Sequence, residues 1–207
     1  MTLPAHADDE TLPTQVSLAA YVDRVLSVMD AGTPVTLLGH SFGGVVISLT
    51  AERRPEAVER LIYVGAFLPA DGETALELAM SDTESDLGAA LEFDMERGVV
   101  GIQREAFPPL FCADCSEAHL SVLGEKYSDE PLAPLVEPIE LTETAFGATP
   151  KYYLFTAEDR VLSPSFQQRV AGRVDLAGSA TLNTSHSPFF SAPDRLVASV
   201  SELARAR

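Results

Sequence analysis

A short apolar run that ends in closely spaced glycines constrains the fold of this chain more than any other feature. Residues 35–38 (Val-Thr-Leu-Leu) lead directly into Gly39-His40-Ser41-Phe42-Gly43-Gly44, and residues 45–54 then follow a helical pattern up to Pro55. Glycine has no Cβ, so it permits sharp turns and close backbone approaches that other residues would block. The segment predicts a strand, a tight turn that displays Ser41, and a helix.

Further apolar runs predict the rest of the architecture. The runs at 61–64 and 151–156 are continuous rather than alternating, which is typical of parallel strands buried on both faces. Helical patterns are at 17–30 (with Ser17 as N-cap), 165–171 and 194–204, and a last strand is expected within 174–182. This alternation predicts an α/β fold with a mostly parallel sheet flanked by helices.

The alternation of strands and helices stops in the middle of the chain. Residues 70–147 are acidic, with scattered aromatic side chains and a proline-rich stretch. We therefore expect a core formed by 1–69 and 148–207, and a mostly helical cap inserted between them.

Composition disfavours several classes of function. The 207 residues contain 14 Lys and Arg against 31 Asp and Glu, and the resulting net charge of −17 argues against binding to nucleic acid or to anionic membranes. The first cationic side chain is Arg24, so we expect no secretory leader, and the uncharged run 31–51 contains proline and glycine, which disfavours a membrane span. We expect a cytoplasmic protein.

The pattern Gly39-x-Ser41-x-Gly43 between a strand and a helix is that of a nucleophile elbow. Alone, the pattern also occurs in tight turns without chemistry, but the flanking strand and helix and the extra Gly44 favour the functional interpretation. Glycines on both sides of the serine are expected to avoid Cβ clashes. The N–H of Phe42, at the start of the helix, is predicted to stabilise an oxyanion.

A serine of this kind needs a histidine base, and the usual chain order is serine, acid, histidine. His186 has the right position, in a loop between the last strand and the final helix. The other three histidines are poorer candidates. His6 precedes the serine, His40 is better placed as a structural hydrogen-bonding residue, and His119 is expected on the surface.

The carboxylate that orients this base is expected at the C-terminal end of the strand at 151–156, because active sites of open α/β sheets lie at that edge. Asp159 is the first choice and Glu158 the alternative, while Asp175 fits less well. In the non-catalytic interpretation, the carboxylate lies in a solvated turn and pairs with Arg160.

Cys112 and Cys115 are the only cysteines and have the C-x-x-C spacing. A structural metal would need two further ligands, with only His119 nearby, and a redox role would need a βαβ context that is missing. We therefore expect two reduced thiols and no metal.

Four segments resemble the α/β-hydrolase fold superfamily, in the branch that contains plant methylesterases, hydroxynitrile lyases and bacterial esterases. They are 35–44 (VTLLGHSFGG), 61–69 (LIYVGAFLP), 151–167 (KYYLFTAEDRVLSPSFQ) and 184–193 (TSHSPFFSAP). The resemblance implies that Ser41 is the nucleophile, Asp159 the acid and His186 the base, without any cofactor. We expect four residues to line the substrate site: His40, Phe67, Phe111 and Phe189.

The sequence departs from this family in two places. Hydroxynitrile lyases of this branch have a lysine after the catalytic histidine, and Ser187 stands there, which favours ester hydrolysis. Family members also begin with a hairpin and a strand ending in His-Gly, which this sequence does not include. We therefore expect either that Met1 is internal to a longer protein or that association, for example as a homodimer, covers the exposed sheet edge.

These observations predict a serine hydrolase acting on a small to medium, apolar carboxylic ester. The alternatives are a hydrolase-like protein that only binds ligands, and an acyltransferase or lyase that uses the same three residues.

Overall fold

The computed structural model describes residues 1–29 and 32–206. The strands are β1 Val35–Ser41, β2 Val58–Ala66, β3 Leu91–Asp94, β4 Val99–Ile102, β5 Glu130–Pro131, β6 Lys151–Thr156 and β7 Gly178–Leu182. The helices are α1 Leu18–Leu26, α2 Gly43–Arg53, α3 Ala75–Met80, α4 Leu87–Ala90, α5 Phe107–Phe111, α6 Glu117–Glu125, α7 Leu132–Val136, α8 Pro164–Ala171, α9 Pro188–Ser191 and α10 Pro193–Arg205. Single 3-10 turns are at Pro13–Gln15 and Pro55–Ala57.

The main sheet has the order β1-β2-β6-β7, and every neighbouring pair is parallel, as predicted. All six residues of β6 are buried, as are seven of the nine residues of β2, which confirms the expected burial on both faces for these strands. Strand β1 differs from these two strands because it lies at the edge of the sheet. Among the described residues β1 pairs with β2 alone, and Leu38 is 46% exposed because it lies at this edge.

The two faces of the sheet pack against different helices. Successive residues of a strand point to opposite faces. Leu61 and Tyr63 of β2 therefore join the larger core, which includes side chains of α2 and α8. Ile62 and Val64 join a smaller core with Leu203 of α10. The helices thus cover both faces of β2, and the ends of the strands are held in place by a packed interior.

Helix α1 begins where the sequence predicts, because the Ser17 side chain accepts a hydrogen bond from Ala20 N at 3.2 Å. It ends at Leu26, earlier than expected. Asp30, the last residue of the predicted helix, lies outside the described residues.

The region 70–147, all of which is described, contains five short helices and also a small antiparallel sheet of order β3-β4-β5. The prediction of a mostly helical cap missed this sheet because its strands have only two to four residues. A signal was present at Gly98, whose φ of +66° suits the turn between β3 and β4. Within residues 1–29 and 32–206, none of the helices is both long and apolar enough to cross a bilayer.

Candidate active site

Ser41 lies at the carboxyl end of β1 in the tight turn that the sequence predicts. Its φ of +53° is in the left-handed region, which costs a non-glycine residue of order 1–3 kcal/mol. A Cβ at Gly39 would lie 2.6 Å from the Gly43 carbonyl oxygen, and one at Gly44 would lie 2.0 Å from that of Phe67. A Cβ at Gly43 would meet nothing within 4 Å. The expectation that both Gly39 and Gly43 are sterically required is therefore wrong for Gly43, and Gly44 has that role.

Phe42 follows Ser41 and is the N-cap residue of α2. Backbone N–H groups at a helix N-terminus carry partial positive charge, which favours anions nearby. The structure thus places Phe42 where the sequence predicts an oxyanion donor.

Asp159 follows β6 and is 3% exposed. Oδ1 accepts hydrogen bonds from the backbone N–H groups of Val161 (2.8 Å) and Leu162 (2.9 Å), and Oδ2 accepts one from Thr156 Oγ1 (2.8 Å). Burial raises the pKa of Asp159, but the neighbouring His186 and these hydrogen bonds outweigh burial and hold the pKa below its usual value. The side chain is therefore held as a charged acceptor.

The alternatives for the acid are placed differently. Glu158 is exposed, and its backbone N–H donates to the Thr184 carbonyl oxygen at 3.0 Å. Arg160 pairs with Asp86 of the region 70–147, which is called the insertion below, rather than with a carboxylate of its own turn; the Nε–Oδ2 distance is 2.7 Å. Glu158 is therefore not the buried carboxylate of this loop, and Arg160 does not pair with the carboxylate of Asp159 or Glu158 as the non-catalytic interpretation expects.

His186 lies in the loop after β7 and is fully buried. Its Nδ1 is 2.8 Å from Oδ2 of Asp159, and within the described residues its Nε2 has no hydrogen-bond partner. A proton on Nδ1, donated to the carboxylate, leaves Nε2 as an acceptor. The predicted acid and base are therefore brought together, although they are 27 residues apart in the sequence.

His40, next to Ser41, connects the turn to the loop of the base. Its Nε2 is 2.7 Å from the His186 carbonyl oxygen, and the two imidazole rings are 4.5 Å apart. Burial, and then the neighbouring His186, lower the pKa of His40 to about 3, so the ring is neutral near pH 7. This confirms the structural hydrogen bond expected for His40 and places the turn of Ser41 beside His186.

A cavity of about 210 Å³ opens at Ser41 and Phe42. Two of the predicted substrate-binding residues, Phe67 and Phe111, line it, together with residues that come mainly from the insertion: Ala75, Leu76, Ala79, Leu87, Leu91, Val100, Ile102, Phe107, Tyr127, Ser128, Glu130, Leu135 and Val161. The side chains are mostly apolar, so the cavity suits an apolar ligand.

Two of the predicted substrate-binding residues do not line this cavity. The ring of Phe189, on α9, packs edge-on against His40 at 5.1 Å and is 43% exposed. His40 points instead to the carbonyl group of His186. Both residues are close in sequence to Ser41 or His186, but neither is among the residues that line the cavity.

Sequence reasoning missed Gln167, which is fully buried beneath the loop of the acid. Its Oε1 accepts from Thr156 N at 3.0 Å, and its Nε2 donates to the Leu162 carbonyl oxygen at 2.7 Å. The amide thus joins the two ends of the turn that carries Asp159. A glutamine within a helical pattern gives no sign of such a role.

The cysteines were expected as reduced thiols, and this is wrong for the structure, in which Cys112 and Cys115 form a disulfide. The two residues lie after α5, where the chain turns back with a Cα–Cα distance of 5.3 Å, close enough for the bond. Their sulfur atoms lie near a carboxylate oxygen of Asp114, but both are used in the disulfide.

Known proteins resemble this chain over almost its full length. It is 28% identical to "Putative methylesterase 14, chloroplastic" of Arabidopsis thaliana over 96% of this chain and 60% of that protein. It is 27% identical to a pyrethroid hydrolase of Sphingobium wenxiniae over 82% of this chain and 63% of that protein. The crystal structure of polyneuridine aldehyde esterase superposes with a TM-score of 0.85 at 20% identity, over 99% of this chain and 86% of that one.

These matches confirm the predicted fold class and the resemblance to plant methylesterases. The chain spans about half the length of the Arabidopsis relatives, from 43% to 60%. The model of the "Alpha/beta hydrolase family" matches residues 1–199. The chain therefore belongs to the alpha/beta hydrolase family.

Proposed function

We propose that this protein is a serine hydrolase that cleaves a small to medium, apolar carboxylic ester through an acyl-enzyme. The observation that carries the proposal is the buried pair of His186 and Asp159 beside the turn of Ser41, in which Nε2 of His186 has no hydrogen-bond partner among the described residues. Relatives named as esterases and a pyrethroid hydrolase support ester chemistry.

In the proposed reaction, Ser41 Oγ attacks the ester carbonyl carbon while Nε2 of His186 accepts the hydroxyl proton. Asp159 holds the imidazole and stabilises its positive charge, and the histidine then donates the proton to the leaving alcohol. Water, activated by the same histidine, releases the acid from Ser41. The three residues lie at the carboxyl ends of parallel strands, an edge where sites of α/β sheets usually lie.

The Phe42 N–H is the proposed donor to the oxyanion, because it follows the nucleophile and lies at the N-terminus of α2. One such donor is typically worth about 10²–10³ in rate. The left-handed backbone at Ser41 fixes the relation between the hydroxyl group and this N–H.

The cavity supports the proposed substrate class. Its volume of about 210 Å³ and its lining by aromatic and aliphatic side chains favour an apolar acyl or alcohol group of modest size. Phe67 is supplied by the segment after β2 and Phe111 by the insertion, so both parts of the chain would contact the substrate.

The proposal is tested by hydrolysis of p-nitrophenyl acetate by the protein and by its Ser41→Ala variant. We expect turnover that Ser41→Ala reduces to the background rate, with Ser27→Ala, an exposed serine outside the site, as the matched control. Equal rates for the protein and Ser41→Ala would contradict the proposal. Inactivity of both would favour a ligand-binding protein, and transfer to an added alcohol would favour an acyltransferase.

We further propose that two copies associate through β1. This strand pairs with β2 alone among the described residues and exposes Leu38. Unpaired edge strands are templates for association. Light scattering is expected to show a dimer at micromolar concentration, and a monomer there would contradict this proposal. A cytoplasmic location remains a prediction, which cell fractionation would check.

A further inference from the structure

We propose that Asp114, in the insertion, is a positioning residue for His186. The inference rests on the proposed function, because the role of Asp114 is to hold the loop that carries the base. Asp114 does not line the cavity at Ser41, so the structure gives it no contact with a substrate there.

Asp114 accepts two hydrogen bonds from one serine. The backbone N–H of Ser185 donates to Oδ2 at 3.1 Å, and the Ser185 hydroxyl group donates to Oδ1. Ser185 is 2% exposed and directly precedes His186. Because both the backbone and the side chain of Ser185 are bound, Asp114 restricts the position and the rotation of the residue from which His186 extends.

The pKa of Asp114 is consistent with this arrangement. Burial raises the pKa of Asp114, but the hydrogen bonds from Ser185 oppose this effect, and the net pKa is lower than usual. The carboxylate therefore stays charged, and charge-assisted hydrogen bonds are stronger than neutral ones.

The insertion holds the loop of the acid in the same way. Asp82 is 7% exposed and accepts hydrogen bonds from the backbone N–H (2.7 Å) and the hydroxyl group (2.6 Å) of Ser163. Ser163 comes directly after Leu162, whose N–H donates to Asp159. Two aspartates of the insertion thus bind two serines of the core, one beside each member of the Asp159–His186 pair.

The disulfide encloses Asp114 in a short loop. Asp114 lies between Cys112 and Cys115, and Cys112 Sγ is 3.7 Å from the carbonyl oxygen of Ser187. The loop therefore contacts the residues on both sides of His186. Because a displacement of about 1 Å at a reacting group can reduce the rate by about 10²-fold, loss of these contacts should affect the chemical step.

The test compares Asp114→Ala and Asp114→Asn with Asp94→Asn, which makes the same charge change elsewhere in the insertion. We expect Asp114→Ala to lower kcat by about 10- to 100-fold with KM nearly unchanged. Asp114→Asn keeps one acceptor oxygen, so it should lose less, and Asp94→Asn should match the parent protein. Adding Ser185→Ala to Asp114→Ala should cause little further loss, because the same contact is already broken.

Hydrogen exchange of the peptide at 183–190 is measured on the same variants, since it does not depend on turnover. We expect faster exchange in Asp114→Ala and not in Asp94→Asn. Unchanged kcat and unchanged exchange in Asp114→Ala would overturn the proposal, as would a loss that lies in KM alone. If the parent protein has no esterase activity but the exchange changes as expected, the proposed function fails while the contact between Asp114 and the His186 loop stands.

Discussion

Replacement of Gly44 by alanine tests the steric argument for the turn of Ser41, with Gly43→Ala as its matched control. A Cβ at Gly44 would lie 2.0 Å from the Phe67 carbonyl oxygen, whereas close carbon–oxygen contacts are about 3.3 Å. The start of α2 and the segment after β2 must then separate by about 1.3 Å. Overpacking of this kind costs about 3 kcal/mol, which for a chain of this size lowers Tm by roughly 6–12 °C.

The shift also moves the adjacent Ser41 and Phe42, so the esterase rate of Gly44→Ala should fall by about 10²-fold or more. A Cβ at Gly43 meets no atom within 4 Å, and alanine is the better helix former, so Gly43→Ala should keep Tm or raise it slightly. Thermal unfolding and p-nitrophenyl acetate hydrolysis are measured on both variants. Equal effects of the two substitutions on Tm and on the rate would contradict the steric requirement for glycine at position 44.

Three further predictions concern His40, Asp159 and the disulfide between Cys112 and Cys115. The pKa of His40 is about 3 in the folded protein and near 6.5 in the unfolded chain. As the pH falls from 6.5 towards 3, the unfolded chain therefore takes up a proton that the folded protein does not. The free energy of unfolding then decreases by up to about 1.4 kcal/mol per pH unit. Between pH 6.5 and pH 5, the free energy of unfolding measured in urea should therefore fall by about 1.6 kcal/mol less in His40→Gln than in the parent protein. The same decrease in both proteins would contradict this prediction. Asp159→Asn should reduce kcat by about 10⁴-fold, because the amide cannot hold the imidazole of His186 in the same tautomer. A decrease in kcat of less than tenfold in steady-state kinetics would contradict the proposed role of Asp159. Reduction of the Cys112–Cys115 disulfide should loosen the loop of Asp114 and lower kcat. The double variant Cys112→Ser/Cys115→Ser should have a low kcat that dithiothreitol does not change further. An unchanged kcat in the double variant would show that the disulfide does not help to position His186.

The sequence predicts those parts of the site that depend on local chain geometry. The turn at Ser41 is recognisable because Gly39 and Gly44 leave room that no other residue would leave. The pairing of Asp159 with His186 can be predicted because each follows a strand of a parallel sheet, and parallel strands bring their carboxyl ends to one edge.

The remaining features depend on contacts that are distant in sequence. The partner of Asp114 is 71 residues away, and that of Asp82 is 81 residues away. Aspartate and serine are common surface residues, so nothing local distinguishes these two pairs. The sheet of β3, β4 and β5 was missed for a related reason, because two- to four-residue strands carry too short a pattern.

The exposure of β1 shows how position in the sheet can override a local pattern. Residues 35–38 have the apolar character of a buried strand, but β1 is at the edge and exposes Leu38. Periodicity indicates which side chains can be buried, and the neighbouring elements determine whether they are.

Covalent labelling tests whether Ser41 is a nucleophile that the pair of His186 and Asp159 activates. The protein is treated with a fluorophosphonate, and the modified residue is located by peptide mass spectrometry. We expect one adduct, on Ser41, which is absent in Ser41→Ala and forms far more slowly in His186→Ala. Labelling of another residue, or equal labelling rates with and without the His186 imidazole, would contradict it.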